Sequence, residues 1–575
     1  MEGTLKVIIS KNEELPKNKN RDNIFTLNEY VLLDKEKKNI NHFYPDPYKT
    51  SLNSEKILIK TEKVKSEILL ILKDWEIFKD IEDLDELLEP FLDLKLTRFF
   101  YLQSVIPTFD IYILIKGKLN YSYSSKTDLI LAIDRIYSDG KNKKNDFLRK
   151  FYKFENNFYN NFLLILQHKL LKIIKDSNKN SIYFFSDEKA YFIDSLKSKF
   201  KSRENLILYY SPTLSQKRII LLLLKQLLKT IFRKNNGEIG IFLLPGNKII
   251  KNYNQIFSNI KSLKLNGINN KFSSHILKQL YSYVLHSVSY TNYLTEIFKD
   301  LKIEKSFFHS VRFPDLYSFA SVLSNFNDKT YLISHGSHTI QSRKDIGYFA
   351  SKSMGIGLTY TNKKDIKLLS QSTFCDDYLE SMNLKFLKIN KILNLKSSSS
   401  AKKNFYLENK KTKILYVGTV KQLGERRYYF ESSGEFIESI NQIYNKLKNY
   451  KNLFEVIIRI RDVKYEINKF ILNNAFKDKK DLIRISYEKS IYEEINNCDC
   501  LISFSSTTLE EGIFMNKPVM CYGLPKYNHL KFYEDSNNMG KKKIESCKNL
   551  ILLEKRLGRK FIYKKSSERN IDLIL

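Results

Sequence analysis

Glycine and proline, the residues that punctuate a chain, are scarce. Only 18 Gly and 10 Pro occur in 575 residues, and they are scattered, which excludes collagen-like architecture. No heptad persists and no segment repeats at solenoid spacing. The five cysteines, Cys375, Cys498, Cys500, Cys521 and Cys547, are odd in number and lack C-x-x-C spacing. That pattern argues for a reducing compartment and against a structural zinc site. No stretch reaches the roughly 18 uncharged apolar residues of a spanning helix; Phe99 to Ile115, for example, is broken by Asp110. The opening residues MEGTLKVIISKNEE lack the basic start and apolar core of a signal peptide. The expectation is a cytoplasmic protein, free or peripheral at the inner face of the cell membrane.

What is present is core material and positive charge. With 42% hydrophobic and 13% aromatic residues, the chain can bury several cores, and its length suits two to four domains. Lys and Arg number 97 against 64 Asp and Glu, a formal charge of +33. Such a surface favours polyanions: nucleic acid, an anionic leaflet or phosphorylated substrates. Lys, Asn and Ile abound throughout, a bias that discounts part of the lysine excess.

The segment Lys396-Ser-Ser-Ser-Ser-Ala-Lys-Lys-Asn404 cannot build a core and reads as a linker, placed at 396–412. After it, short apolar runs alternate with helical periodicity. Strands are expected at 413–419, 455–460, 482–486, 499–504 and 518–522, with helices at 435–447, 465–474, 491–497 and 507–515. Such alternation implies right-handed crossovers and a doubly wound parallel sheet. The middle of the chain has the same texture, with strands at 181–185, 206–209, 239–244, 305–308, 330–334 and 357–360. Before it, 57–79 and 84–102 look helical, the second interrupted at Pro90, and 5–10 reads as a strand. The domains follow: a helix-rich N-terminal elaboration at 1–170, a Rossmann-like domain at 171–395, a second at 413–535, and a tail at 536–575 packing back on the N-terminal domain.

The segment Cys498 to Gly523, CDCLISFSSTTLEEGIFMNKPVMCYG, is the most informative. A buried strand runs into Ser505, Ser506, Thr507 and Thr508, and a helix opens at once. Unpaired amides flanked by hydroxyls suit a phosphate; ordinary helix capping is the plainer use of the same residues. Glu511, one turn in, can accept hydrogen bonds from ribose hydroxyls. Arg459 and Arg461 alternate on VIIRIRD, share one face, and point toward the strand's carboxyl edge, where ligands of open α/β sheets bind. They can equally pair with Asp462 and Glu466.

This segment resembles the C-terminal domain of GT-B glycosyltransferases, over roughly Lys413 to Tyr522. The matching features are the strand Leu501 to Phe504, the Ser/Thr turn, Glu511, Lys517 and Pro518. Gly512 stands where alanine is common, and Asn516 where a glycine is usual. The resemblance implies two Rossmann-like domains facing a cleft, with a nucleotide-activated sugar bound mainly by the C-terminal domain. It also gives Gly418 and Thr419, with Lys421, Glu425, Arg426 and Arg427 after them, a place beside the donor phosphates. His335-Gly336, just beyond a strand, resembles the His-Gly pair of CDP-glycerol polymerases and surface-polysaccharide transferases. An imidazole there can take a proton from an acceptor hydroxyl; His338 is the reserve, and a turn-stabilising role is the alternative.

The implied activity is transfer from a nucleotide-activated sugar to a surface-glycan or lipid-linked acceptor. Ser503 stands where retaining relatives carry Glu, which leans toward inversion. Such enzymes need no resident cofactor, and no metal ligands are assigned. Transfer of a polyol phosphate from a CDP donor fits the His-Gly pair, and a CMP-linked acidic sugar fits the fold. A basic nucleic-acid-binding protein is the rival from another class, but no such module is visible and no nucleic-acid partner is expected. Asp83-Leu-Asp85 lies in an acidic helical run, and Leu244 to Lys248 reads first as a turn. Phe308-His309-Ser-Val-Arg312-Phe-Pro-Asp315 follows a strand at the cleft. The segment Gln216 to Lys234 is leucine-rich and basic, suited to a core helix or to anionic lipid.

Overall fold

The computed structural model describes residues 3–9, 22–32, 40–73, 84–141, 165, 169–170, 172, 181–186, 196–197, 199–201, 205–210, 221, 223–228, 238–241, 265, 268–299, 301–327, 329–334, 352, 355–389, 411–418, 431–460, 467–487, 490–504, 506–524 and 548–562. They form an α/β protein with three sheets, all mainly parallel.

The first sheet has the order β3-β2-β1-β4-β5, built from β1 (Thr4–Ile8), β2 (Asp22–Thr26), β3 (Ile40–Phe43), β4 (Ile111–Lys116) and β5 (Leu119–Tyr123). Only the β4–β5 pair is antiparallel. Alternation sets its two faces. Leu5 and Val7 join α1 (Pro47–Lys73), α2 (Leu84–Val105) and α3 (Lys126–Lys141) in one core. Ile8 and Ile24 face the other way, into a core shared with the third sheet. The N-terminal region was expected to be helical with one strand, so its sheet is an addition. Its strands are short and several are half polar, and the central pair β1–β4 joins Thr4 to Ile111 across a long separation. The helix α2 runs through Pro90 without the expected interruption.

The second sheet has the order β12-β11-β10-β9-β6-β7-β8. Its strands are β6 (Ser181–Phe185), β7 (Asn205–Tyr210), β8 (Glu238–Ile241), β9 (Ile303–Phe308), β10 (Thr330–Ile333), β11 (Ile366–Ser370) and β12 (Phe386–Lys388). Helices α4 (Asn270–Phe298), α5 (Pro314–Phe326) and α6 (Thr373–Ser381) accompany it. The expected strand at 357–360 is instead a turn. Gly357 takes φ +70°, its amide donates to the Tyr360 carbonyl at 2.7 Å, and its Cα face rests on the Arg312 backbone.

The third sheet, β15-β14-β13-β16-β17, comprises β13 (Thr412–Val417), β14 (Phe454–Arg459), β15 (Ile483–Ile485), β16 (Cys500–Ser503) and β17 (Val519–Cys521). Its helices are α7 (Ser433–Leu447), α8 (Lys469–Ala475), α9 (Ile491–Asn497), α10 (Thr508–Phe514) and α11 (Lys548–Leu557). Capping boxes start α7 at Ser432 and α9 at Ser490. The second and third sheets are the two Rossmann-like layers expected from the alternating pattern. The tail was expected to pack back on the N-terminal domain; Ile562 bridges Val519 of β17, and Leu550, Leu553 and Leu557 enter the core that the third sheet shares with Ile8 and Ile24 of the first. Most of the 396–412 linker lies outside the described residues.

Candidate functional site

Strand order reverses in the third sheet between β13, which leads to β14 and β15, and β16, which leads to β17. A crevice opens at such a reversal, outside the carboxyl ends of the two strands. The Ser503 hydroxyl ties those ends together, donating to the Val417 carbonyl at 2.6 Å. Gly418 follows β13 and Ser506 to Thr508 follow β16, so the structure brings these sequence candidates to one edge.

Each has a local reason for its place. A Cβ on Gly418 would lie 2.4 Å from the Phe436 ring and 2.5 Å from Ile460. The missing side chain therefore admits two core residues beneath the edge. The Ser506 hydroxyl donates to Thr508 Oγ1 at 2.9 Å and accepts from the Thr508 amide at 3.2 Å. Ser506 is buried at 6% exposure and acts as a cap, whereas Thr507 is exposed and makes no side-chain cap bond. Glu511 is buried within α10. Arg459, at the end of β14, donates from Nη1 to the Ser486 carbonyl at 3.1 Å, holding the end of the neighbouring β15. His335, Thr419, Arg426, Arg461 and Ser505 lie outside the described residues, as does His338.

The two departures from the family pattern have physical causes. A Cβ on Gly512 would meet Val519 Cγ1 at 3.0 Å and Leu501 at 3.2 Å, so β16 and β17 leave little room for alanine. Asn516 takes φ +58°. Its amide bonds the Ile513 carbonyl and the Lys517 amide bonds the Gly512 carbonyl, both at 2.9 Å, which is a Schellman ending. Asn tolerates that left-handed position, which glycine ordinarily fills. Lys517 has a structural use too, donating from Nζ to the Cys498 carbonyl at 2.6 Å.

Sequence reasoning missed Glu431, which lies behind this edge at 1% exposure. A Cβ on Gly523 would come within 2.9 Å of its Oε1. Burial, reinforced by Glu435, raises its carboxyl well above the usual range. At the second sheet's carboxyl edge the His309 segment is the flagged stretch that falls among the described residues. The Ser186 hydroxyl and His309 Nδ1 are 2.7 Å apart there. The two units touch where Phe374 of α6 shares a core with Leu415, Val417 and Leu509.

No protein-family model matches the chain, and a search of curated proteins returns no match. Among solved structures, the chain is similar to the UDP-GlcNAc 2-epimerase of Neisseria meningitidis bound to UDP-GlcNAc. Identity is 11% and the TM-score 0.33, over 67% of this chain and 95% of that one. It is also similar to S. aureus MnaA in complex with UDP, at 10% identity and a TM-score of 0.31, over 66% of this chain and 91% of that one.

Proposed function

We propose that the chain is a GT-B-type glycosyltransferase that moves a sugar from a nucleotide-activated donor to a surface-glycan or lipid-linked acceptor. The observation that carries this reading is the reversal between β13 and β16. It places Gly418 and the exposed Thr507 on the edge where such sheets take ligands. The donor phosphates lie against the amides and hydroxyls of residues 505–508, with Arg459 at the next strand end. Glu511 serves the ribose.

In the proposed step the acceptor oxygen bonds the anomeric carbon as the bond from that carbon to the phosphate oxygen breaks. The acceptor proton passes to His335, and the nucleotide leaves with its added negative charge held by Arg459, Arg426, Arg461 and the backbone amides. Displacement from one side inverts the anomeric centre and calls for no metal. The positive surface keeps the enzyme beside an anionic leaflet. In support of that placement, Leu221 and Leu228 are 67% and 54% exposed on one helical segment, with Lys225 exposed between them.

The test is a thermal-shift screen of the full chain against UDP, GDP, CDP, CMP, dTDP and their sugar conjugates, followed by a transfer assay with any donor found. A ligand that binds only the native state raises its melting temperature. One selective nucleotide is the expected result. Stabilisation by short RNA with no nucleotide response would replace the transferase reading with a nucleic-acid-binding one.

A further inference from the structure

The second sheet also reverses direction, between β6 and β9, and Ser186 and His309 are the first residues beyond those strands. The Ser186 hydroxyl accepts the His309 amide at 3.0 Å and lies 2.7 Å from Nδ1 of the same residue. Ser186 is fully buried, so its hydroxyl proton needs an acceptor inside the protein. Among the described residues Nδ1 is the acceptor it meets. The ring proton therefore sits on Nε2. Burial lowers the imidazole to about 4 against the opposing charge of Asp315, so the ring is neutral at physiological pH.

Other polar groups converge on the same place. Spacings of three and four put Tyr283, His286, Ser287 and Tyr290 on one stripe of α4. The Tyr283 hydroxyl donates to the Arg312 carbonyl at 3.0 Å, and the Ser287 and Ser318 hydroxyls are 3.1 Å apart, so the stripe faces the start of α5. Asp315, in the first turn of α5, accepts from the Tyr210 hydroxyl at 2.5 Å and acts electrostatically on His286, Tyr290 and His309. The His286 and Tyr290 rings are 5.8 Å apart. Burial lowers His286 to about 4 and raises the Tyr290 phenol. Yet His286, Tyr290, His309 and Asp315 all keep accessible surface. These half-buried polar groups stand at the carboxyl edge of the sheet, beside the reversal between β6 and β9, where open α/β sheets take ligands. Among the described residues the Tyr290 hydroxyl has no hydrogen-bond partner, and its ring lies against His286.

We propose that Ser186, Tyr210, His286, Tyr290, His309 and Asp315 form a pocket for an uncharged, hydroxyl-rich ring, a sugar unit, in which His309 Nε2–H donates and Asp315 accepts. A sugar needs donors and acceptors interleaved, which this set supplies. The Asp315 carboxylate repels a phosphate, and the two imidazoles, held neutral, offer no charge to attract one. Tyrosine and imidazole rings give apolar faces for the sugar's C–H groups. His309 is a positioning residue, because the nitrogen that faces away from Ser186 already carries its proton. The pocket's part in sugar transfer rests on the transferase reading above; its ligand class does not.

The experiment uses the full chain with 15N-labelled histidine. Eight histidines keep the spectrum simple, and His309→Gln identifies the resonances. The expected wild-type pattern is a bare Nδ1 and a protonated Nε2, neutral throughout the physiological range; Ser186→Ala mixes the tautomers. D-glucose, N-acetyl-D-glucosamine and D-mannose are then titrated, with UDP and CDP in separate samples. At least one sugar shifts the His309 signals. Its affinity falls about fivefold in Tyr290→Phe and about tenfold in Asp315→Asn, as expected for a neutral and a charge-assisted hydrogen bond. Nucleotide affinity stays as in wild type. The pocket is overturned if none of the three sugars moves the signals, if a nucleotide moves them instead, or if Tyr290→Phe leaves sugar affinity unchanged. A sugar response keeps the pocket whatever the nucleotides do, whereas silence from every nucleotide of the thermal-shift panel removes the transferase reading; a nucleotide response without a sugar response removes the pocket alone.

Discussion

The Glu431 carboxyl accepts a hydrogen bond from the Ser439 hydroxyl at 3.4 Å, and its second oxygen is buried without a donor among the described residues. Among the described residues Glu435 on α7 and Tyr416 on β13 act on it electrostatically, and neither is a cation. An ionised carboxylate there would be both desolvated and repelled, so the folded protein holds the acid neutral.

That proton links stability to pH. In the unfolded chain a glutamate ionises near pH ~4.3, while in the folded chain Glu431 stays protonated well above it. The unfolded state therefore binds fewer protons over this interval, and Glu431 costs stability increasingly as pH rises from about 4.3 toward the folded pKa. Glu431→Gln keeps the shape and removes the titration. Its melting temperature is expected to match wild type near pH ~4 and to exceed it at pH ~8. Parallel melting curves across that range would show that the carboxyl is not neutral in the fold.

Ser506 and Thr507 separate capping from binding. Ser506→Ala removes the bond to the Thr508 amide and should cost about 1 kcal/mol, read as a lower melting temperature. Thr507 is exposed and caps nothing with its side chain. Thr507→Ala is expected to leave melting unchanged and to weaken binding of the nucleotide found in the screen by about three- to tenfold. Unaltered affinity in that variant would take the donor phosphates away from this turn.

Gly418→Ala probes the same edge from the other side. The added carbon meets the Phe436 ring and Ile460 well inside contact distance, so α7 or the end of β14 must shift. Overpacking of this kind costs about 1–3 kcal/mol. A melting temperature equal to wild type would mean that Phe436 moves freely, and the packing reason for the glycine would fail.

Much of the third sheet was legible because its strands are fully buried and nearly continuous in apolar residues, as in LYV, VII and LIS. Helix starts announced themselves through Ser432 with Glu435 and Ser490 with Glu493. The first sheet was harder: LNYSY and INHF carry too few apolar residues to declare a strand, although LNYSY pairs with β4 across a tight turn and INHF with β2 some way back along the chain. The strand Ile366–Ser370 hides behind a polar run, while Gly357 to Tyr360 imitates one. The polar groups around Asp315 come from positions 186, 210, 286, 290 and 309. No local spacing connects them; only the sheet's reversal and the stripe on α4 do.

The face carrying Leu221 and Leu228 tests the membrane placement. Leu223 of the same segment is buried in the core of the second sheet, so the helix is anchored by one side and presents the other. Two leucines and a lysine on that outer side suit the interface of an anionic leaflet, where each basic residue adds about 1 kcal/mol. Leu221→Ser with Leu228→Ser removes apolar area without touching the core, and Lys225→Glu reverses the local charge. Both variants should fold with wild-type melting temperatures and sediment less with vesicles containing phosphatidylglycerol, while neutral phosphatidylcholine vesicles retain neither them nor wild type. Equal sedimentation of all three proteins with anionic vesicles would assign the attraction to the diffuse +33 charge rather than to this face.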